Sequence, residues 1–157
     1  MSTNPPNKPH YFEFNKLAVF FKHTDYHGFV HPYNFYEWTS YVREAFFQSA
    51  VSNFEEVLAR PIKMMTVKIG LESGEDATFG DHFQARLTVG KIKKVSFDMI
   101  IRFVNLQKKN IACKSTHTIV FVDSLAGKFA NVPDEMKKVI HNYTDGPQMD
   151  NLGKSAD

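Results

Sequence analysis

Residues 24–47 read TDYHGFVHPYNFYEWTSYVREAFF, a turn with one acidic residue that leads directly into a long, aromatic-rich helix. We predict Asn34 as the N-cap of this helix, because Glu37 follows three residues later and completes a capping box. Apolar or small side chains then recur at three- and four-residue steps and form one stripe: Phe35, Trp38, Val42, Ala45, Phe46 and Ser49. This stripe must be buried against another layer of the fold.

The segments on either side predict one strand before the helix and a short helix after it. Residues 17–21 (LAVFF) are apolar on both faces, which is typical of a strand covered on both sides. Residues 1–10 contain three prolines and no apolar periodicity, so we expect a mobile lead-in. A second helical turn is predicted around residues 53–58, where Pro61 ends it.

From Ile62 onward the hydrophobic period changes to two, the spacing of half-buried strands. Three long alternating segments, residues 83–89, 95–103 and 111–121, are separated by residues that favour turns. These segments predict a meander of antiparallel strands that follows the helix in sequence.

A sheet with one apolar face and a helix with one apolar stripe bury both surfaces when the sheet curls around the helix. The predicted class is therefore α+β, with an antiparallel β-sheet wrapped around a long central α-helix, which is the hotdog arrangement. Residues 133–141 predict a short terminal helix, and residues 144–157 predict a disordered tail. We expect a single domain over residues 11–143.

The composition bounds the classes of function. With 157 residues and 43% hydrophobic content, the chain can bury one sizeable core. A net charge of +2 from 19 Lys+Arg and 17 Asp+Glu is too balanced to predict nucleic-acid binding. No window approaches the roughly 18 apolar residues of a membrane span, and the N-terminus lacks the apolar segment of a signal peptide. We expect a cytoplasmic protein without membrane or nucleic-acid partners.

Cys113 is the only cysteine, which excludes an intrachain disulfide, and the alternation around it predicts a small core residue in a strand. His82, His117 and His141 are scattered over different elements and give no metal-ligand spacing. The sequence has no G-x-S-x-G elbow and no glycine-rich phosphate loop. It therefore predicts no metal, no cofactor and no serine nucleophile.

The turn before the helix resembles that of hotdog-fold thioesterases of the 4-hydroxybenzoyl-CoA thioesterase class. Residues 24–30, TDYHGFV, match the family's T/C-D-x-x-G-x-V segment. The resemblance implies that Asp25 is the catalytic carboxylate and that Gly28 and Val30 contact the substrate. Related acyl-CoA thioesterases often place Tyr-His after the Gly-x-Val element, whereas this chain has His31 followed by a proline. His31 is a further candidate substrate-binding residue.

Residues 43–46, REAF, resemble instead the thioesterases that release polyketide chains in enediyne biosynthesis. In those enzymes the acidic position is typically Asn, and the Arg is thought to activate the thioester. The chain therefore combines the acid of one group, Asp25, with the arginine of the other, Arg43.

Related enzymes place the active site between subunits. The resemblance then implies that residues 64–67 of a partner chain supply a backbone N–H, with Met65, Thr66 and Val67 as candidate substrate-binding residues. A single hotdog sheet would also expose a long edge strand, which proteins normally cover. We expect a homodimer, or a homotetramer made of two dimers.

Thioester hydrolysis is the chemistry that this resemblance implies. A carboxylate can attack the carbonyl or deprotonate a water, so Asp25 is expected as nucleophile or general base. Arg43 and a backbone N–H would stabilise the charge that develops on the carbonyl oxygen. The expected substrate is an acyl-CoA or acyl-carrier-protein thioester, and the identity of the acyl group stays open.

Other interpretations stay open at this point. Asp25 can simply hydrogen-bond its own turn, and Arg43 can pair with Glu44 or Glu37 on the helix surface. Hotdog hydratases and dehydratases pair an acid with a histidine about five residues later, where this chain has Val30. A non-catalytic module that binds acyl thioesters is also compatible, because a fold does not guarantee an activity.

Overall fold

The computed structural model describes residues 10–144. Within this range the strands are β1 (Phe12–Ala18), β2 (Ile62–Ser73), β3 (His82–Ile92), β4 (Ser96–Asn105), β5 (Asn110–Asp123) and β6 (Lys128–Phe129). The helices are α1 (Pro32–Ala50), α2 (Phe54–Ala59) and α3 (Asp134–Ile140), and 3₁₀ turns span Phe21–His23 and His141–Tyr143. Apart from His10 and Thr144, the predicted lead-in and tail lie outside the described residues.

The strands form one antiparallel sheet in the order β1-β3-β4-β5-β2, and β6 pairs with the end of β5. The predicted meander is confirmed for β3, β4 and β5, which pair in sequence order. The strand that follows the helices, β2, lies beside β5 rather than beside β3. The two edges of the sheet are therefore β1 and β2.

Helix α1 packs against the inner face of this curled sheet and contacts β1, β2, β3 and β5. The predicted stripe is buried at four positions: Phe35, Trp38, Val42 and Phe46. Ala45 is half-buried and Ser49 is exposed, whereas Phe47 is fully buried and stacks on Phe54 of α2 with ring centroids 5.5 Å apart. The short helix α2 covers the last turn of α1, so the buried face shifts toward Phe47 there.

The first strand lies earlier than the apolar run at residues 17–21 predicts. Strand β1 ends at Ala18, which pairs with His82 of β3, and the chain then leaves the sheet. His23 Nδ1 accepts a hydrogen bond from the N–H of Phe20 at 3.0 Å, which supports the 3₁₀ turn. Phe20 and Phe21 are consequently exposed, 61% and 80%, rather than buried in a strand.

Helix α1 begins two residues before the predicted N-cap. Its first residue is Pro32, and His31 occupies the N-cap position. Proline fits this first position because its missing N–H would have no partner within the helix. Asn34 therefore lies inside the first turn and the predicted capping box with Glu37 is wrong. Glu37 instead accepts a hydrogen bond from the Tyr41 hydroxyl at 3.0 Å.

A bulge interrupts β2 in its middle. Thr66 pairs with Ile119 and Lys68 pairs with Thr118, so Val67 has no partner residue on β5. Such an extra residue bends a strand and increases its twist. Beyond the bulge Ile69 pairs with His117, so both Thr66 and Ile69 are paired with inward residues of β5.

Candidate active site

Asp25 lies on a tight turn between the 3₁₀ turn and α1. The turn is closed by the N–H of Asp25, which donates to the Phe29 carbonyl at 2.8 Å, and by the N–H of Gly28, which donates to the Asp25 carbonyl at 3.0 Å. Asp25 Oδ1 accepts hydrogen bonds from the N–H groups of His27, at 2.9 Å, and Phe29, at 3.1 Å. Asp25 is exposed, and its Oδ2 accepts no hydrogen bond from residues 10–144. One carboxylate oxygen fixes the side chain, and the other stays available to a ligand.

Gly28 and Val30 shape this turn. Gly28 has φ +85°, a left-handed conformation that glycine adopts without strain. Val30 is buried, its backbone forms a bridge with Thr24, and its N–H donates to the Ala77 carbonyl at 2.8 Å. Both residues thus determine how the turn presents Asp25.

Asn34 joins the Asp25 turn to α1. Its Nδ2 donates to the carbonyl oxygens of His23, at 2.8 Å, and His31, at 3.0 Å, and the residue is 1% exposed. The N–H of His31 also donates to the His23 carbonyl at 2.9 Å, while the His31 ring is exposed beside Tyr33. Because one amide binds carbonyls on both sides of the turn, Asp25 is held at a fixed place relative to the helix.

Arg43 connects α1 to the edge strand β2. Its Nη1 donates to Thr66 Oγ1 at 3.1 Å, and its Nη2 lies 3.3 Å from Glu44 Oε1. The Arg43 side chain is 26% exposed, so it is mostly covered but reaches the surface. The ion pair with Glu44 on the helix surface, one of the alternatives open from the sequence, is present. Thr66 of β2 is a second partner of Arg43, on the side of the sheet.

A cavity of about 380 Å³ opens between α1, α2, β2 and β5. Its wall includes charged, polar and apolar side chains, among them Arg43, Glu44, Phe47, Met64, Thr66 and Ile119. This volume lies in the range of pockets that bind small molecules. Arg43 and Thr66 are therefore in position to contact a ligand in this cavity.

Among the described residues, no hydrogen bond or ion pair joins Asp25 to Arg43. Asp25 precedes the first residue of α1, Pro32, whereas Arg43 lies in the second half of the helix. A helical rise of 1.5 Å per residue separates Pro32 from Arg43 by about 16 Å along the axis. Asp25 therefore lies before the first turn of the helix, and Arg43 lies in its second half.

The predicted substrate-binding segment of β2 is divided between two faces. Thr66 faces the helix and binds Arg43, whereas Met65 and Val67 are 51% and 56% exposed. Leu71, further along the same edge strand, is 37% exposed. β2 thus presents several apolar side chains along an edge that has no neighbouring strand among the described residues.

His117 is a buried residue, one inward position from the cavity-lining Ile119, that sequence reasoning did not select. It is 2% exposed, and neither ring nitrogen has a hydrogen-bond partner within residues 10–144. Burial, and then the positive charge of Arg43, lower the pKa of His117 to about 4. The alternation along residues 111–121 did indicate that His117 shares a face with Ile119 and Phe121. The proximity of Arg43 to His117 arises from the tertiary structure, and no local sequence pattern indicates it.

The lone cysteine is a core residue, as predicted. Cys113 is 2% exposed, and burial, followed by the charge of Glu72, raises the pKa of its thiol to about 12. A thiol with this pKa is not a nucleophile at neutral pH. Over residues 10–144, no three His, Cys, Asp or Glu side chains are grouped to hold a metal ion.

No helix in the described part of the chain is long and apolar enough to cross a membrane. The cytoplasmic location expected from the sequence stays a prediction.

A family model described as the thioesterase-like superfamily matches residues 19–140. This match spans most of the chain and includes the Asp25 turn, α1 and the strands β2 to β5. The chain therefore belongs to the thioesterase-like superfamily. A search of curated proteins found no match.

Solved structures share the fold at low sequence identity. The 1,4-dihydroxy-2-naphthoyl-CoA thioesterase from Synechocystis superposes with a TM-score of 0.73 at 17% identity, covering 83% of this chain and 96% of that chain. The dynemicin thioesterase gives 0.75 at 16% identity, covering 87% and 98%. A Staphylococcus aureus protein solved in complex with CoA gives 0.75 at 13% identity, covering 94% and 88%. The predicted hotdog fold is confirmed, and by its family the chain is a thioester hydrolase.

Proposed function

We propose that this chain hydrolyses an acyl-CoA or acyl-carrier-protein thioester to the free acid and the thiol, in a site built from two copies of the chain. Asp25 acts as nucleophile or general base, and Arg43 with a backbone N–H stabilises the negative charge that develops on the carbonyl oxygen. The observation that carries this proposal is the position of Arg43 in the wall of a ligand-sized cavity, bonded to Thr66.

The places of the two side chains relative to the helix are the reason for a second copy. Both side chains must reach the same thioester carbonyl, whereas Asp25 precedes the helix and Arg43 lies about 16 Å along the axis from the first helical residue, Pro32. In a twofold dimer paired through β2, the Asp25 turn of one protomer approaches residues 64–67 of the other. Because Arg43 is bonded to Thr66, the partner's Arg43 accompanies that segment to the same site.

The edge strand supports this assembly. An exposed edge with apolar side chains is a surface that proteins normally cover, and β2 exposes Met65, Val67 and Leu71. Pairing two β2 strands would continue the sheet across the dimer. A tetramer of two such dimers is part of the same proposal.

The structures with similar folds favour a CoA-linked substrate. One of them is a naphthoyl-CoA thioesterase and another was solved with CoA. A hydratase or dehydratase would need a histidine about five residues after Asp25. That position is Val30, which is buried and paired in the turn. No observation favours a hydratase or dehydratase. The Oδ2 of Asp25, which accepts no hydrogen bond from the described residues, favours a hydrolase over a module that only binds acyl thioesters.

A panel of thioesters tests the proposal. Aromatic, medium-chain and polyketide acyl groups are offered both as CoA thioesters and on a carrier protein, and free thiol is measured with a chromogenic reagent. We expect thiol release with at least one acyl class and much slower release by Asp25→Asn. Saturable binding of the panel without thiol release would instead define a binding module, and loss of enoyl absorbance without thiol release would define a hydratase.

A further inference from the structure

The inner face of β5 carries a row of polar side chains in an otherwise apolar core. Cys113, Ser115 and His117 occupy successive inward positions and are 2%, 0% and 2% exposed. Within residues 10–144, Ser115 Oγ and both ring nitrogens of His117 lack a hydrogen-bond partner. Buried polar groups without partners are uncommon in folded proteins, and each requires an explanation.

The neighbouring strands do not provide that explanation. His117 is paired with Met99 on one side and with Ile69 on the other, and Ser115 is paired with an isoleucine and a leucine. None of these side chains offers a strong donor or acceptor. The two polar residues therefore face hydrocarbon and thioether neighbours within the sheet.

The polar row follows, along the inner face of β5, the residues that line the cavity beside Arg43. Ile119 lines the cavity and is the next inward residue after His117 on β5. Arg43, also in the cavity wall, is close enough for its charge to affect the His117 imidazole. His117 is thus one inward position from the cavity wall at Ile119, and Ser115 is one inward position further along the strand, so an acyl chain must extend past Ile119 to reach them.

We propose that His117 and Ser115 determine substrate specificity by hydrogen-bonding an uncharged oxygen group, a hydroxyl or a keto oxygen, on the acyl chain. This inference rests on the proposed thioesterase function and extends it. A neutral imidazole presents one N–H donor and one acceptor nitrogen, and a serine hydroxyl both donates and accepts. A hydrocarbon chain would leave these groups unpaired, and sites built for a hydroxyl reject such analogues strongly.

The test uses pairs of acyl-CoA thioesters of equal chain length, with and without one hydroxyl or keto group at successive positions. We expect wild-type protein to prefer the oxygenated member, in kcat/KM, by at least about tenfold at one position. His117→Leu and Ser115→Ala should bring this ratio close to one. His117→Gln, which keeps a donor and an acceptor, should retain part of the preference. Met99→Leu, a change in the apolar neighbour of His117, is the matched control and should keep the full ratio.

Two results would overturn the inference: wild-type protein without any preference across the panel, or an unchanged preference in both His117→Leu and Ser115→Ala. Titration calorimetry with the corresponding non-hydrolysable thioethers separates this inference from the proposed function. A binding preference without hydrolysis supports the polar site and rejects the hydrolytic mechanism. Hydrolysis without a preference in either assay supports the mechanism and rejects the polar site.

Discussion

Arg43 Nη1 donates to Thr66 Oγ1 over 3.1 Å, and this hydrogen bond ties the second half of α1 to the edge strand β2. It holds a guanidinium in the wall of the cavity while Asp25 lies before the first residue of the same helix. An arginine directed toward a cavity can bind the carbonyl oxygen of a ligand. An arginine paired only with Glu44 would form a surface ion pair and would not contact a ligand. The bond to Thr66 therefore makes Arg43 the first side chain to test.

Replacing Arg43 should reduce turnover in a graded way. Lysine lacks the planar fork of donors that guanidinium offers, so Arg43→Lys should be clearly impaired and Arg43→Ala more so, in line with the cost of about 2.7–4 kcal/mol for losing one oxyanion donor. Steady-state kinetics with thiol detection measures this. Arg60→Lys is the matched control, because Arg60 pairs with Glu135 on the exposed surface. Equal turnover of wild type and both Arg43 variants would make Arg43 a surface residue.

Replacing Asp25 should abolish most activity and leave the fold intact. In Asp25→Asn the side-chain oxygen can still accept the hydrogen bonds from His27 and Phe29, so the turn is retained. The variant loses the oxygen that we propose as base or nucleophile, so kcat should fall by at least about a hundredfold. Asp76→Asn, a change at an exposed aspartate, serves as the control. Near-full activity of Asp25→Asn with an unchanged melting temperature would remove Asp25 from the mechanism.

Mixing two inactive variants tests the shared site. A dimer that pairs one Asp25→Asn chain with one Arg43→Ala chain contains one site with both side chains intact and one with neither. If the subunits exchange at random, an equal mixture should recover about a quarter of wild-type activity. Each variant alone should stay inactive. Activity that does not return after mixing, although sedimentation shows exchanged dimers, would mean that both side chains act within one chain.

Stability should depend on pH through His117. Its pKa is 6.5 in the unfolded chain and about 4 in the fold, because burial and then Arg43 disfavour its charged form. Between these values the unfolded chain binds a proton that the folded chain does not, so stability falls as the pH is lowered through this window. The shift corresponds to a free energy on the order of 3 kcal/mol.

Urea unfolding of wild type and His117→Gln at about pH 7 and about pH 4.5 measures this effect, with a smaller loss of stability expected in the variant. The pKa of His23 is also lowered, by burial and then by Lys22, but His23 is present in both proteins. The difference between them therefore reports on His117. Parallel stability curves would show that His117 is not the group that titrates.

The local parts of this fold could be predicted from the sequence. The alternation of residues 83–89, 95–103 and 111–121 predicts β3, β4 and β5, because apolar side chains recur at every second position. The helical stripe through Phe35, Trp38, Val42 and Phe46 predicts the buried face of α1. Both depend only on the period of neighbouring side chains.

The non-local parts could not be predicted in this way. Asn34 donates to the carbonyl of His23, eleven residues earlier, and this hydrogen bond across the Asp25 turn has no local sequence pattern. From the sequence alone, Asn34 resembles an N-cap residue. The run at residues 17–21 is apolar, but pairing with β3 ends at Ala18 and leaves Phe20 exposed. Spacing in sequence likewise does not reveal that Arg43 bonds to Thr66, 23 residues later on β2.

The bulge at Val67 has a consequence for solubility. Thr66 and Lys68 already pair with consecutive residues of β5, so the ladder would be complete without Val67 and no side chain would change face. A chain lacking this residue would retain its core but present β2 as one straight edge. An exposed, straight edge offers unpaired N–H and C=O groups to other chains and favours aggregation. The extra residue divides the β2 edge into two short stretches. This arrangement is compatible with pairing to one β2 strand of a second chain and opposes the repeated addition of strands.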